Sequence, residues 1–405
     1  MDTSDRAVLF VGINYAPEPT GISPYTTGMA EGLARRGHRV RVLTSYPHYP
    51  WWQVPEEHAG LPRDADINGV AVRRLRHYIP RRPDNLRRAL FELSFGIRAL
   101  FNRWGRPGVV VVVSPALLAS RLVTARARLQ RIPVITWVQD IYTLGISEAS
   151  DGAGSRVIRR IERNLADCAA RVVVIHERFR RMLVEDVGTT APVDVVRNWS
   201  HVPEVSDARR VETRRGLGWA DDEIVVLHAG AMGAKQGLEN VVHAAREATR
   251  RSSKVRFVLL GDGNQREHLE SLGGDPRLQF VDPLPDEQFL ATLAAADVLL
   301  ANERPGLTEM SVPSKLTTYF ATGLPVIAAV DASSTTHDEI LAAGAGPVVP
   351  AGDPVALVDA IEALADDPSA AAAYGATGRA YRAEHLTADA ALDAFERTIA
   401  VAMTR

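Results

Sequence analysis

At 405 residues, with 46% hydrophobic and 24% charged residues, the chain is too long for one ordinary core and has the composition of a globular two-domain enzyme. Its single cysteine, Cys168, excludes an intrachain disulfide framework and fits a reducing compartment. The net charge of −2 conceals a split: residues 1–205 carry 29 arginines against 20 acids, a charge of +9, whereas residues 206–405 carry 18 cations against 29 acids, or −11.

The first residues carry acids where a secretion signal would carry positive charge. No apolar run approaches the roughly 18–20 residues that span a bilayer, so a cytoplasmic chain is expected. "AVLFVGI" reads as a short buried strand, followed by the loop "NYAPEPTGISP" and a helix from about Tyr25 to Arg36, stopped by Gly37. Strands follow at "RVRVLTS", "VVVVVS", "PVITWVQD" and "RVVVIH". Between the first and second of these lies a basic stretch, with ten arginines in 73–106. They interleave with Leu90, Phe91, Leu93, Phe95, Ile97, Leu100, Phe101 and Trp104, the pattern of a basic amphipathic helix. The second half repeats the alternation: strands at "EIVVLHAG", "VRFVLLGDG", "LQFVD", "DVLLAN" and "PVIAAV", with helices between them. Two such series mean an α/β protein of two doubly wound, Rossmann-like domains. The expected division is 1–205, 206–385, and a C-terminal helix over 386–405 that could pack back on the first domain.

Ligands of open parallel sheets bind beyond the carboxyl ends of the strands, so the loops there carry the chemistry. After the first strand, Gly21 permits close backbone approach ahead of a helix N-terminus, an arrangement suited to an anion and also to an ordinary tight turn. Gln139 and Asp140 end a strand, where they could meet a sugar or acceptor; an Asp there is also a common helix cap. His176, Asn198 and Trp199 stand at comparable strand ends, where capping and packing explain them equally well. In "HAGAMGAKQGLE", Gly230 and Gly233 open the backbone and Lys235 precedes a helix, placing a point charge where a diphosphate could sit. Only three lysines occur beside 44 arginines, and two of them, Lys235 and Lys315, fall in such strand-to-helix loops. Ser314 and Lys315, with the first N–H groups of their helix, form a plausible anion cradle. Glu309, just before them, is a candidate for sugar hydroxyls or a cationic transition state. No metal-ligand spacing appears, and the dinucleotide fingerprint G-x-G-x-x-G is absent.

Together, "NYAPEPTGISPYTTGMAEGLARRGHRVRVLT", "WVQDIY", "VRNWS", "GAMGAKQGLE", "LLGDGNQREHLE" and "VPSKLTTYFATGLPVIA" resemble the retaining glycosyltransferases of family 4, of the bacterial exopolysaccharide and colanic-acid type. The resemblance runs over nearly the whole chain. It implies the GT-B fold, two Rossmann-like domains facing a central cleft, with acceptor on the first and nucleotide sugar on the second. Gly21 matches the glycine loop facing donor phosphate and acceptor. Lys235 lies at or one residue from the family's diphosphate-binding lysine, and Gly261 and Gly263 match the loop under the nucleoside. The arginine usual five residues before that lysine is replaced by Gly230, with no other arginine nearby along the chain. Thr318 stands where the family carries its second glutamate, Met310 where it carries the first, and Gln139 where a histidine usually precedes the Asp.

The implied reaction moves a sugar from a nucleoside diphosphate to an acceptor hydroxyl with retention. The resemblance implies no cofactor and no metal, with Lys235, Lys315 and helix N-termini taking the metal's role. Asp140, Lys235 and Glu309 are the catalytic candidates; Gly21, Gly233, Lys235, Gly261, Gly263, Ser314, Lys315 and Thr318 face the donor, and Gln139 and Asp140 the acceptor. The expected acceptor is lipid-linked at an anionic membrane, with no nucleic-acid partner. Readings left open are a soluble small-glycoside acceptor, a sugar-nucleotide epimerase of the same fold, a nicotinamide enzyme and a non-catalytic binding protein.

Overall fold

The structure, a computed structural model, describes residues 7–19, 21–82, 84–114, 116–141, 153–199, 202, 205, 207–306 and 314–404. The chain divides into two compact units, one of Met1–Trp199 with Ala388–Arg405 and one of Ser200–Thr387.

Unit 1 is built on eight strands: β1 (Val8–Val11), β2 (Val40–Ser45), β3 (Asp64–Ile67), β4 (Val70–Leu75), β5 (Val109–Ser114), β6 (Val134–Val138), β7 (Arg171–Val174) and β8 (Val193–Val195). Their order is β3-β4-β2-β1-β5-β6-β7-β8. All pairings are parallel except β3 with β4. The continuous apolar runs of β1 and β5 are buried at every residue, as strands covered on both faces must be. From β1 the chain winds outward to β2, β4 and β3, then returns to lay β5 on the other side. That reversal opens a crevice between the carboxyl ends of β1 and β5.

The C-terminal helix, Ala388–Met403, belongs to unit 1. Its Phe395 is fully buried, stacked on Phe10 at 6.1 Å between ring centroids and tilted against Trp137 at 5.0 Å. At its edge Arg36 bonds Asp393 at 2.6 Å and Glu396 at 2.7 Å, and His38 meets Glu396 at 2.8 Å. The division therefore falls at 199/200 rather than 205/206, because Trp199 is buried in the core of unit 1, and the return to unit 1 begins at 388 rather than 386.

Unit 2 carries six parallel strands: β9 (Ile224–Ala229), β10 (Val255–Leu260), β11 (Leu278–Val281), β12 (Val298–Asn302), β13 (Val326–Ala329) and β14 (Val348–Val349), ordered β11-β10-β9-β12-β13-β14. Here the winding reverses between β9 and β12, so the loops leaving those two strands flank the crevice. Apolar clusters cover both faces of the sheet, one around Trp219, Tyr319 and Phe320, the other around Met232, Val241 and Phe257.

Candidate functional site

The loop leaving β9 is held by its neighbours through its own backbone. The Gly230 N–H donates to Leu260 O, the Met232 N–H to Asp262 O and the Gln265 N–H to Met232 O, each at 2.9 Å. The β9 and β10 loops thus run so close that a Cβ on Gly261 would lie 2.1 Å from Gly230 O, and one on Gly263 2.4 Å from Met232 O. These two glycines are fixed by backbone approach, whatever they contribute to a nucleoside. Beyond them, Ala234–Gln236 form a single 3₁₀ turn, and the Gly233 N–H is bonded to Gln236 Oε1 at 3.0 Å.

Asn302, the last residue of β12, braces this turn. Its Nδ2 donates to Gln236 O at 2.7 Å and Gly237 O at 3.0 Å, while its Oδ1 accepts from Asn240 at 2.8 Å. A buried amide with these partners is an expensive group to misplace, so the turn is rigid. Two residues on, the Arg304 N–H donates to the Lys235 carbonyl at 2.9 Å. The Lys235 side chain is exposed, and among the described residues it makes no ion pair. Lys315, on the helix Ser314–Thr322, acts on the same end of β9: its charge, after burial, helps hold the fully buried His228 imidazole far below the usual histidine range. His228 is therefore neutral, and its Nδ1 lies 3.3 Å from Leu300 O. Thr318 is partly buried on the same helix, which places Ser314 at its start. Glu309 lies outside the described residues. The nearby carboxylate of Glu303 is buried and occupied, accepting from Ser334 Oγ at 2.5 Å and from the Thr336 hydroxyl.

In unit 1, the crevice between β1 and β5 contains a cavity of about 310 Å³ whose walls include Gly21, His48, Tyr49, Trp52, Arg88 and Asp140. Gly21, at φ +68, and Asp140 are thus brought to one place. A buried carboxylate organises the cavity floor: Glu18 Oε1 accepts from the backbone N–H groups of His48 at 2.7 Å and Tyr49 at 3.0 Å, and its Oε2 accepts from Asn14 at 2.8 Å. The Arg88 guanidinium lies 5.4 Å from the centre of the Trp52 ring, so one wall is aromatic and cationic. Gln139 sits elsewhere: it is buried in unit 1, where its Oε1 accepts from Asn198 at 3.1 Å. His176 caps the helix Glu177–Glu185 through Nδ1, and Trp199 packs edge-on against Tyr25 above Gly28.

Asn302 and Arg304 were invisible in sequence because they reach the turn across more than sixty residues. Glu18 stands inside the quoted glycine loop, and its run of flanking prolines was the one local signal. A larger cavity of about 730 Å³ in unit 2 opens at the amino ends of β9 and β12, away from these loops. Two of its lining carboxylates, Glu223 and Asp297, are bound to Arg256 and Arg214. Among the described residues, no group of three or more His, Cys, Asp or Glu is placed to hold a metal, and no helix is long and apolar enough to cross a membrane.

Each unit is thus a doubly wound α/β unit with a glycine loop at its switch point, where ligands of such sheets bind. Residues 20–199 match the glycosyl transferase 4-like domain, and residues 223–367 match the glycosyl transferases group 1 family. The chain is 31% identical over 333 residues to Escherichia coli WcaI, named for colanic acid biosynthesis, covering 78% of this chain and 81% of that one. In fold it resembles the sucrose-phosphate synthase of Thermosynechococcus elongatus, with a TM-score of 0.68 and 19% identity over 97% of this chain and 98% of that one. It also resembles Anabaena HepE solved with UDP, with a TM-score of 0.70 and 16% identity over 97% of this chain and 99% of that one. The chain belongs to the GT-B glycosyltransferases with family 4 domains.

Proposed function

We propose that this glycosyltransferase moves a sugar, with retention and without a metal, from a nucleoside diphosphate to an acceptor hydroxyl in polysaccharide or glycolipid assembly. The observation that carries the donor assignment is Lys235, held exposed at the switch point of unit 2 by Asn302 and Arg304 and without an ion pair among the described residues. Cleavage of the glycosidic bond leaves charge on the diphosphate. Lys235, Lys315 and the N–H groups opening the helix Ser314–Thr322 supply fixed positive ends for that charge. The nucleotide in the HepE structure and the naming of WcaI support this chemistry by likeness. In this reading Asp140, in the unit 1 cavity, meets the reacting sugar or acceptor, and Glu309 is assigned to sugar hydroxyls.

The acceptor is lipid-linked and reached at an anionic membrane surface. The helix Asn85–Leu100 supports this with an exposed apolar stripe among exposed arginines. A thermal-shift screen of UDP-, GDP- and dTDP-sugars identifies the donor, and NMR of the product then reads its anomeric configuration. Retention, activity in EDTA and losses of roughly 10²–10³ in Lys235→Ala and Lys315→Ala are expected, the worth of one charge-stabilising contact. Inversion or a strict Mn²⁺ or Mg²⁺ requirement would overturn the mechanism. Conversion of the donor to its epimer without acceptor would establish the epimerase instead.

A further inference from the structure

We propose that Arg304 is a further cation of the diphosphate site beside Lys235 and Lys315, supplied from the loop after β12 because Gly230, in the loop after β9, could not be an arginine without strain. This rests on the donor reading above and adds a residue to it. Gly230 has φ +131, a backbone that a residue with a side chain rarely adopts, so an arginine there would be strained. The charge comes instead from across the switch point. The Arg304 N–H is bonded to the Lys235 carbonyl at 2.9 Å, and a Cβ on Gly237 would lie 2.7 Å from the Arg304 Cα. Only glycine, at φ +53, lets the two loops meet so closely.

The charge environment makes the same point. Unit 2 is acidic, and its arginines are largely neutralised: Arg210 and Arg214 by Asp297, Arg251 by Glu247, and Arg256 by Glu223. Lys235 and Arg304 are set apart by meeting at the switch point. Both are exposed, both are anchored by backbone bonds to each other's loop, and neither makes an ion pair among the described residues. An anion spanning the two loops would give both cations a partner. A diphosphate has the charge and length to do so, and a guanidinium can grip two of its oxygens at once.

The test is calorimetric titration of the full chain with inorganic pyrophosphate at low and high salt. Wild type is compared with Arg304→Ala, Arg304→Lys and Lys235→Ala. The side chain of Arg304 is exposed and its fold-holding bond is made by the backbone, so thermal melting should be unchanged in its variants. Arg304→Ala should weaken pyrophosphate binding by roughly 10–100-fold and flatten its salt dependence, with Arg304→Lys in between. The donor KM should rise while the acceptor KM stays put. If Lys235→Ala loses binding and both Arg304 variants keep it, Arg304 is not in the site and the donor reading stands. If neither Lys235→Ala nor Arg304→Ala changes binding, the donor reading falls with this proposal.

Discussion

His77 lies where burial and chemistry pull in opposite directions. Its ring is wedged among Phe91, Phe95 and His48, with Nε2 2.7 Å from Ser45 Oγ. Burial, and then the neighbouring His48, push its pKa down to about 4. The unfolded chain, with a histidine near its ordinary value, binds this proton more readily than the native protein does. Stability should therefore be full above about pH 6.5 and fall as pH drops toward 4, by on the order of 2–3 kcal/mol from this residue. Urea denaturation of wild type and His77→Gln across that range checks it: the gap between them should narrow as pH falls, and a constant gap would refute the assignment. At this scale the sequence revealed what is local. Lys235 and Gly21 announced themselves because rare residues sat in loops after strands. Asn302, Glu18 and His77 did not, since each acts through partners that only the folded sheet brings near: Asn302 meets Gln236 across the switch point, and His77 reaches Ser45 from just past the end of the neighbouring strand.

The helix Asn85–Leu100 shows how an element divides a set of residues that look alike along the chain. Asp84 caps it, accepting from the Arg87 N–H at 2.8 Å. One face buries Phe91, Phe95 and Ala99, and Gly96 lets the helix Leu117–Leu129 cross so tightly that a Cβ would lie 2.8 Å from the Ala119 Cα. The opposite face leaves Leu86, Leu90, Leu93, Ile97 and then Phe101 exposed, at helical spacing, with Phe101 82% accessible. The large apolar residues of 90–104 formed one group in sequence; in the fold, Phe91, Phe95 and Trp104 are core, Leu100 is partly buried, and Leu90, Leu93, Ile97 and Phe101 are surface. With Arg81, Arg82, Arg87 and Arg98 exposed around it, this face suits anionic headgroups at about 1 kcal/mol per cation. Flotation with anionic vesicles should succeed at low salt. It should weaken at high salt, in Arg81→Glu/Arg82→Glu/Arg87→Glu and in Leu90→Ser/Phe101→Ser. Arg88 is left intact in these variants because it stacks near Trp52 in the cavity. No binding to anionic vesicles at low salt would favour a soluble acceptor. Strands were legible where they are buried on both faces and apolar throughout. β3 and β4 were not, since β3 reads Asp-Ala-Asp-Ile at the sheet edge and β4 carries Arg73 and Arg74.

For the molecule as a whole, the consequential feature is that unit 1 is assembled from both ends of the chain while unit 2 is one continuous segment. The terminal helix is integral to the core of unit 1: Leu392, Phe395 and Ile399 are buried among strand and helix residues, and Leu392 lies against Gly32 so closely that a Cβ there would approach to 2.6 Å. Removing it would uncover Phe10 and Trp137 and strip Arg36 of its carboxylates. Burying a large apolar side chain contributes about 1.5–3 kcal/mol, so losing three exceeds much of a domain's net stability. Unit 2 keeps both faces of its own sheet covered without residues from outside 200–387. A fragment of residues 200–387 should therefore unfold cooperatively by itself. Residues 1–199 alone should aggregate or stay molten, and the same fragment joined by a flexible Gly/Ser linker to 388–405 should recover a cooperative transition. Circular dichroism melts and near-ultraviolet spectra of the three polypeptides, matched for concentration, decide the matter. A cooperative transition of 1–199 alone, equal to that of the linked form, would show that the helix merely covers a finished unit instead of completing it.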